Sequence, residues 1–410
     1  MTKTSNLRAE KHIIKPTSPF FQILLDFCRR SKNLYNHANY LIRQEFSSNG
    51  KWIRYAELDK ILKADTEYND YAEMPTAQSA QQTLRLVDKN WKSFFKSIKD
   101  WSKNKEKYLG RPKMPKYLKK NGNYLLILTN QNCKIKGDYI SFPKVFNGFV
   151  IKPKFLERND YKSFQQVRIL PHNNKLIIEL IYKITLCKEK KDNGRYIGID
   201  IGVNNLAAVA NNIGNTAFII NGRPLKSVNQ FYNKQISHYR KVCKKMNNKD
   251  YSERMNRLTE KRNSKIDDYL HKASRWIINY CIVNRINTVI IGKNKEWKQE
   301  TAVGRRNNQN FVQIPFARLI EMIQYKASEC GITVILTEES YTSGTSFIDD
   351  EQPVKEKYNK ARRIKRGLFK SNNGVLINAD LNGAYQIMKK VISIQWDRGC
   401  ALHPFVVNIA

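Results

Sequence analysis

An aspartate stands where an apolar strand has little use for one, in Tyr196-Ile197-Gly198-Ile199-Asp200-Ile201-Gly202. Desolvating a carboxylate there costs several kcal/mol unless it is paired or metal-bound, and strand interiors disfavour Asp. A second aspartate, Asp380 in Asn378-Ala379-Asp380-Leu381, falls at the predicted start of a helix. The macrodipole favours an anion there, and an ordinary capping role is the competing reading. Two-metal phosphodiester cleavage uses clustered carboxylates to hold divalent ions roughly 3.5–4 Å apart, one activating water and the other stabilising the leaving oxygen. Two aspartates are too few, so a third acid is expected. The strand end Ile291-Gly292-Lys293-Asn294 offers none, but the next strand runs into Glu338-Glu339-Ser340-Tyr341-Thr342-Ser343. Period-2 alternation makes those two glutamates point oppositely, and either could project toward Asp200. Glu296, on a polar loop or helix start, is a looser candidate.

The elements that must position these acids follow from periodicity and breakers. Residues 196–202 read as a buried strand, with 207–210 and 216–220 as hairpin partners around a turn at 211–215. A long basic helical pair (about 228–244 and 250–284), a strand at 288–292, a helix at 314–330, a strand at 332–337 and a last helix near 378–380 complete the second half. Three early antiparallel strands followed by alternating helix and strand is the order of an RNase H-like α/β layer. Upstream, an alternating strand ends at Pro16, and Thr17-Ser18-Pro19 reads as a helix N-terminus. Helical periodicity covers 21 to Gly50, 55–64 and 77 to about Trp101. The glycine and two prolines of Leu109–Lys116 break that pattern and mark a subdomain switch. Short β-type runs at 124–128, 139–142, 149–151, 166–170 and 175–182, with turns at 136–138 and 171–174, suggest a small antiparallel barrel. Residues 188–195 read as a polar linker.

Charge names the partner class. The chain has 410 residues with 73 Lys and Arg against 36 Asp and Glu, a formal balance of +37. A polyanion is the natural counterweight, and phosphate backbones are the usual one; a merely solubilising Lys-rich surface is the alternative. Clustering favours nucleic acid: between Lys89 and Lys120 there are 12 basic residues and 2 acids, and between Lys234 and Lys265 there are 11 against 3. Lys92, Lys96, Lys99 and Lys103 form a helical stripe beside the packing stripe Trp91, Phe94, Phe95, Ile98 and Trp101. With Lys113, Arg254, Arg257, Lys272, Arg362, Arg363 and Arg366, they are the candidate nucleic-acid contacts. His271 reads either as a packed helix histidine or as a neighbour of the nucleic acid. The 7 cysteines form no C-x-x-C pair, which argues against a disulfide framework or cysteine-based zinc and for structural burial in a reducing cytosol. No apolar run long enough for a membrane span or secretory signal is seen.

These segments, in this order, resemble a known family. Gly198-Ile199-Asp200-Ile201-Gly202-Val203-Asn204-Asn205, Ile291-Gly292-Lys293-Asn294-Lys295-Glu296-Trp297-Lys298-Gln299, Ile314-Pro315-Phe316, Glu338–Ser343 and Ile377–Ala384 look like TnpB. TnpB is the RNA-guided nuclease of insertion sequences, related to compact type V CRISPR effectors and long described as a probable transposase. Leu34-Tyr35-Asn36-His37-Ala38-Asn39-Tyr40 also resembles the family's early helix. The resemblance implies a β-barrel wedge (1–16 and 121–186) with a helical recognition insertion (17–120). A RuvC-like nuclease (194–343 and 374–395) follows, interrupted by a target-binding insert (344–373). Gly292 departs from the family pattern, in which a glutamate ends the fourth strand. Some relatives carry a displaced glutamate instead, which matches Glu339 best. The implied metal set is therefore Asp200, Glu339 and Asp380, with Glu338 and Glu296 as alternatives, holding two Mg²⁺ ions. Ser346, Lys370 and Asn373 occupy positions where zinc cysteines are expected, so the insert must hold together without zinc.

The expected activity is RNA-guided, Mg²⁺-dependent cleavage of double-stranded DNA, with guide RNA drawn from the element's end and the protein reading a short flanking motif. Two rivals share these features. Gly292 motivates a nuclease-inactive, RNA-guided DNA-binding repressor. A strand-joining transposase would use the same metal chemistry but would need transposon-end recognition and a multimer.

Overall fold

A computed structural model describes residues 6–293, 312–365, 367–393 and 401–409. The chain divides into two units, Ser5–Thr185 and Leu186–Ala410.

In the first unit the alternating run becomes β1 (Leu7–Ile14), followed by α1 (Phe21–Asn49), α2 (Tyr55–Ala64) and α3 (Ala77–Lys103). Strands β2 (Leu126–Thr129), β3 (Lys134–Lys136), β4 (Tyr139–Ser141), β5 (Val150–Ile151), β6 (Tyr161–His172) and β7 (Lys175–Ile184) follow. They give two antiparallel sheets, β1-β7-β6-β2 and β3-β4-β5, where a single small barrel was expected. The turn predicted over 171–174 is shorter: Pro171 and His172 pair with Leu176 and Lys175, leaving Asn173-Asn174 as a two-residue hairpin loop. Asn173 takes the left-handed conformation (φ 51°) that such loops require. Thr17-Ser18 does not cap α1. Phe20 holds the cap position without a side-chain bond, while Ser18 Oγ accepts from Phe20 N–H at 3.4 Å. α3 does carry a capping box, Thr76 with Ser79. Trp91 is fully buried and its indole N–H donates to Asn39 Oδ1 at 2.9 Å. The helices α1–α3, expected as a recognition insertion within the strand-forming segment, lie in one unit with these sheets.

The second unit is built on β8 (Tyr196–Asp200), β9 (Asn205–Asn211), β10 (Phe218–Asn221), β11 (Thr288–Gly292), β12 (Thr333–Thr337) and β15 (Phe405–Val407), with the order β12-β11-β8-β9-β10-β15. β8, β9 and β10 are antiparallel; β11 runs parallel to both β8 and β12. β15, parallel to β10, was not anticipated from the sequence. The helices are α4 (Arg223–Asn247), α5 (Glu253–Val283), α6 (Phe316–Glu329) and α7 (Ala379–Lys389), and the hairpin β13 (Leu368–Lys370) and β14 (Leu376–Asn378) precedes the last.

Strand parity decides which side chains meet which helix. Ile197, Ile199, Val289, Ile291 and Val334 join the core formed with α5 and α6. Tyr196, Ile290 and Ile335 join the core around Leu381, Ala384, Tyr385 and Met388 of α7. Asp200 and Gly292 share the parity of this second set, so one face of the sheet presents both positions to α7, and Glu339, two residues past β12, lies over Gly292. Among the described residues, no helix is long and apolar enough to cross a membrane.

A candidate carboxylate active site

Asp200 ends the central strand β8, and Asp380 is the second residue of α7. Asp380 is not the cap of that helix: Asn378 is, its Oδ1 accepting from Asp380 N–H (3.0 Å) and Leu381 N–H (3.2 Å). The Asp380 carboxylate is thereby left to side chains, Oδ2 accepting from Asn205 Nδ2 at 2.8 Å and Oδ1 facing Arg363 Nη2 at 3.3 Å. Gly383, one turn on, lets the Asp200 carboxylate lie against α7, since a Cβ at 383 would fall 2.7 Å from Asp200 Oδ2.

The third acid arrives from the neighbouring strand. Gly292 pairs with Thr337 in the β11–β12 register, and the chain continues past Thr337 to Glu339. Its side chain folds back over Gly292, where a Cβ would come within 2.5 Å of Glu339 Oε1 and 2.6 Å of its Cγ. Glu338, of opposite parity, is exposed and accepts from Ser340 Oγ at 2.6 Å. Glu296 lies outside the described residues.

The electrostatics of Asp200 and Glu339 record burial first and, at Asp200, acidic neighbours second. Burial, then Asp380, then Glu339 push the Asp200 carboxyl well above the usual range, with Arg363 opposing. Burial pushes Glu339 up to about 7, partly offset by Lys390. Excess negative charge that raises carboxyl pKa values is what a cation would relieve. The donor set is oxygen only, suited to a hard ion such as Mg²⁺. Among the described residues no three His, Cys, Asp or Glu side chains form a ready metal cage: the acids are neighbours, and Arg363 holds one oxygen of Asp380. On chemistry the residues fit a divalent cation, with Asp200, Glu339 and Asp380 as the groups that would hold it. Asn205 and Arg363, the partners of Asp380, were not singled out for this place; Asn205 stands inside the quoted Asp200 segment, whereas nothing local signals Arg363.

The basic candidates divide. Lys96, Lys99 and Lys103 are exposed, whereas Lys92 is paired with Asp88 at 2.5 Å. Lys113, Arg254 and Arg257 are exposed, with Arg254 over the Tyr239 ring; Lys272 is exposed and paired with Asp268 at 3.1 Å. Arg362 is not a free gripping residue: it is only 16 % exposed and bonded to Glu351 (2.5 Å) and Asn372 (2.8 Å). Glu351 also accepts from Ser346 N–H at 2.8 Å, so this cluster knots the 344–373 insert together where zinc cysteines were missing. Arg366 lies outside the described residues. His271 is exposed at the surface of α5 but partly shielded there, and that shielding, then Lys326, lowers its pKa. Burial holds for Cys28, Cys133 and Cys281, but Cys187 is exposed and Cys243 and Cys330 are intermediate; Cys400 lies outside the described residues.

Residues 176–298 match the family model OrfB_IS605, described as "Probable transposase", and residues 316–387 match "Cas12f1-like, TNB domain". The chain is 23 % identical over 397 residues to the TnpB-like protein ORF457 of Acidianus two-tailed virus, covering 89 % of this chain and 82 % of that protein. Among solved structures it is similar to a Cas12f1–sgRNA–target DNA complex (15 % identity, TM-score 0.36, 93 % of this chain and 98 % of that one). A CRISPR-Cas12f ternary complex gives 16 % identity and a TM-score of 0.38 over 91 % and 82 % of the two chains. The two family models fall on the stretches that carry Asp200 and Asp380, and the TnpB-like relative spans nearly the whole chain, so the chain is similar to TnpB proteins along most of its length.

Proposed function

We propose that the protein is an RNA-guided, Mg²⁺-dependent DNA endonuclease of a transposable element. The observation that carries this reading is the buried Asp200 carboxyl at the end of β8, which feels the charges of Asp380 on α7 and of Glu339 just past β12. The strand order β12-β11-β8-β9-β10, with three antiparallel strands flanked by two parallel ones, supports an RNase H-like nuclease layer of the RuvC type. The +37 balance supports nucleic-acid partners, and the resemblance to TnpB supports guide RNA and target DNA as those partners. The sheets and helices of the first unit would then serve as wedge and recognition parts.

When bound, divalent ions supply an activated water and charge relief at the leaving oxygen. The chain's own residues do the rest. Asp200, rigid at a central strand end, fixes the origin of the site, and Asn205 orients Asp380 through its Oδ2. Glu339 closes the set from the side of β12. Arg363, once Asp380 is otherwise engaged, is free to face a phosphate oxygen, as a planar guanidinium does well.

A second reading, a guided DNA-binding protein without nuclease activity, is favoured by the Arg363–Asp380 pair and by the lack of a closed three-ligand cage among the described residues. Protein purified with RNA from its own flanking DNA, challenged with a target-plasmid library in Mg²⁺ and in EDTA, separates the two. Guide-directed breaks only in Mg²⁺ support the nuclease; guide-directed binding without breaks supports the second reading.

A further inference from the structure

A cavity of about 370 Å³ opens between α4 and α5, within the size range of small-ligand pockets. Val228 and Phe231 of α4 and Leu258 of α5 form its apolar wall; Lys261, Arg262 and Lys265, spaced i, i+1 and i+4 on α5, form its rim, with no acid among the described residues that line it. Phe231 is 61 % exposed. A lone exposed aromatic is ordinary, but this one walls a cavity ringed by three cations. Arg262 is fixed in place: Nε donates to Asn229 Oδ1 (2.7 Å), Nη2 to the Gln313 carbonyl (2.7 Å) and Nη1 to Asn263 Oδ1 (2.8 Å), and the group lies 5.6 Å from the Tyr232 ring centre. Lys261 and Lys265 are exposed.

A flat apolar ring beside a rigid guanidinium and two lysines suits a π-faced ligand that carries negative charge at its edge. A nucleotide has that chemistry, and its base is reachable only when unpaired. Resting on the nucleic-acid reading above, we propose that this cavity holds one unpaired nucleobase of a single-stranded nucleic acid. Its ring stacks on Phe231 and its flanking phosphates meet Lys261 and Lys265.

The test is binding of the full chain, in EDTA, to labelled single-stranded RNA and DNA of one sequence and to matched abasic strands. Phe231→Ala should weaken the intact strand about tenfold and leave the abasic strand unchanged, and Phe231→Trp should restore binding. Lys261→Gln/Lys265→Gln should weaken both strands and lower the salt slope by roughly 1.4, about 0.7 for each lost phosphate contact. A 5-iodouridine strand should crosslink within α4 at Phe231. The strand type that shows the Phe231 dependence identifies the source as RNA or DNA. Wild-type affinity of Phe231→Ala for both intact strands, or equal loss on intact and abasic strands, overturns the proposal. Cleavage plays no part in this readout, so an inactive nuclease would leave it standing.

Discussion

Gly292 and Glu339 are two halves of one fitting: the side chain absent from the end of β11 leaves the space into which the Glu339 carboxylate folds, 2.5 Å from where a Cβ at 292 would be. Glu339, two residues past the end of β12, thus brings its carboxylate to the place that Gly292 of β11 leaves open.

Gly292→Ala should therefore be costly although it adds one methyl group. The methyl would meet both Glu339 and Ile387 Cδ1, each at 2.5 Å, and overpacking of this kind costs about 1–3 kcal/mol. The expected outcome is a lowered unfolding midpoint together with a cleavage loss larger than that of Glu338→Ala. A variant with wild-type cleavage would show that the Glu339 carboxylate is not needed where it lies.

Cation binding should strengthen with pH through neutrality. Glu339 is pushed up to about 7 by burial, and Asp200 is raised by burial and by its acidic neighbours. Both must lose a proton to bind a metal, so apparent Mg²⁺ affinity rises from about pH 6 to about pH 8 and binding releases protons. Titration calorimetry in two buffers of different ionisation enthalpy reads that release directly. A pH-independent affinity would contradict the crowded site.

The insert should survive chelators but not loss of its ion pair. Burial alone would raise the Glu351 carboxyl, yet the Arg362 hydrogen bond and the Ser346 N–H outweigh it and hold the pKa below the usual value. A depressed carboxylate contributes stability above its unfolded pKa, and that stability is lost as pH falls through the folded one. Glu351→Ala leaves the mostly buried Arg362 without its ion-pair partner, with Asn372 alone to bond it, and should cost about 3 kcal/mol. Denaturant unfolding checks this, with EDTA expected to change nothing. A midpoint unmoved by the substitution would remove the knot from the account.

Neutralising Lys96, Lys99 and Lys103 together should weaken nucleic-acid binding across sequences and reduce its salt slope by about 2–3. Lys92 should contribute less, being held by Asp88. An unchanged slope would return the stripe to a solvated helix face.

Much of the second unit was legible because its strands are apolar runs bounded by turns: β11 falls at 288–292 as read, and Asp200 stood out as a charge inside such a run. Glu339 was separable from Glu338 by extending the parity of Ile335, a step that needs the strand's orientation. Residues whose place depends on distant partners were not legible. β15 is three residues long and owes its role to pairing with β10. Arg363 meets Asp380 across 17 positions of chain. Arg362, adjacent in a run of basic residues, turns inward to Glu351 while its neighbour faces the acids. A barrel was expected from short β-runs separated by turns and from the resemblance, and that pattern does not say how the strands divide between sheets.

The central claim is tested most directly by target-plasmid cleavage with the RNA-loaded protein, comparing wild type with Glu339→Gln in Mg²⁺ and following target binding in the same samples. The account predicts Mg²⁺-dependent breaks by the wild type, a loss of orders of magnitude in Glu339→Gln, and binding that stays close to wild type. Equal cleavage by the two proteins, or guide-directed binding by the wild type with no breaks at all, would contradict it.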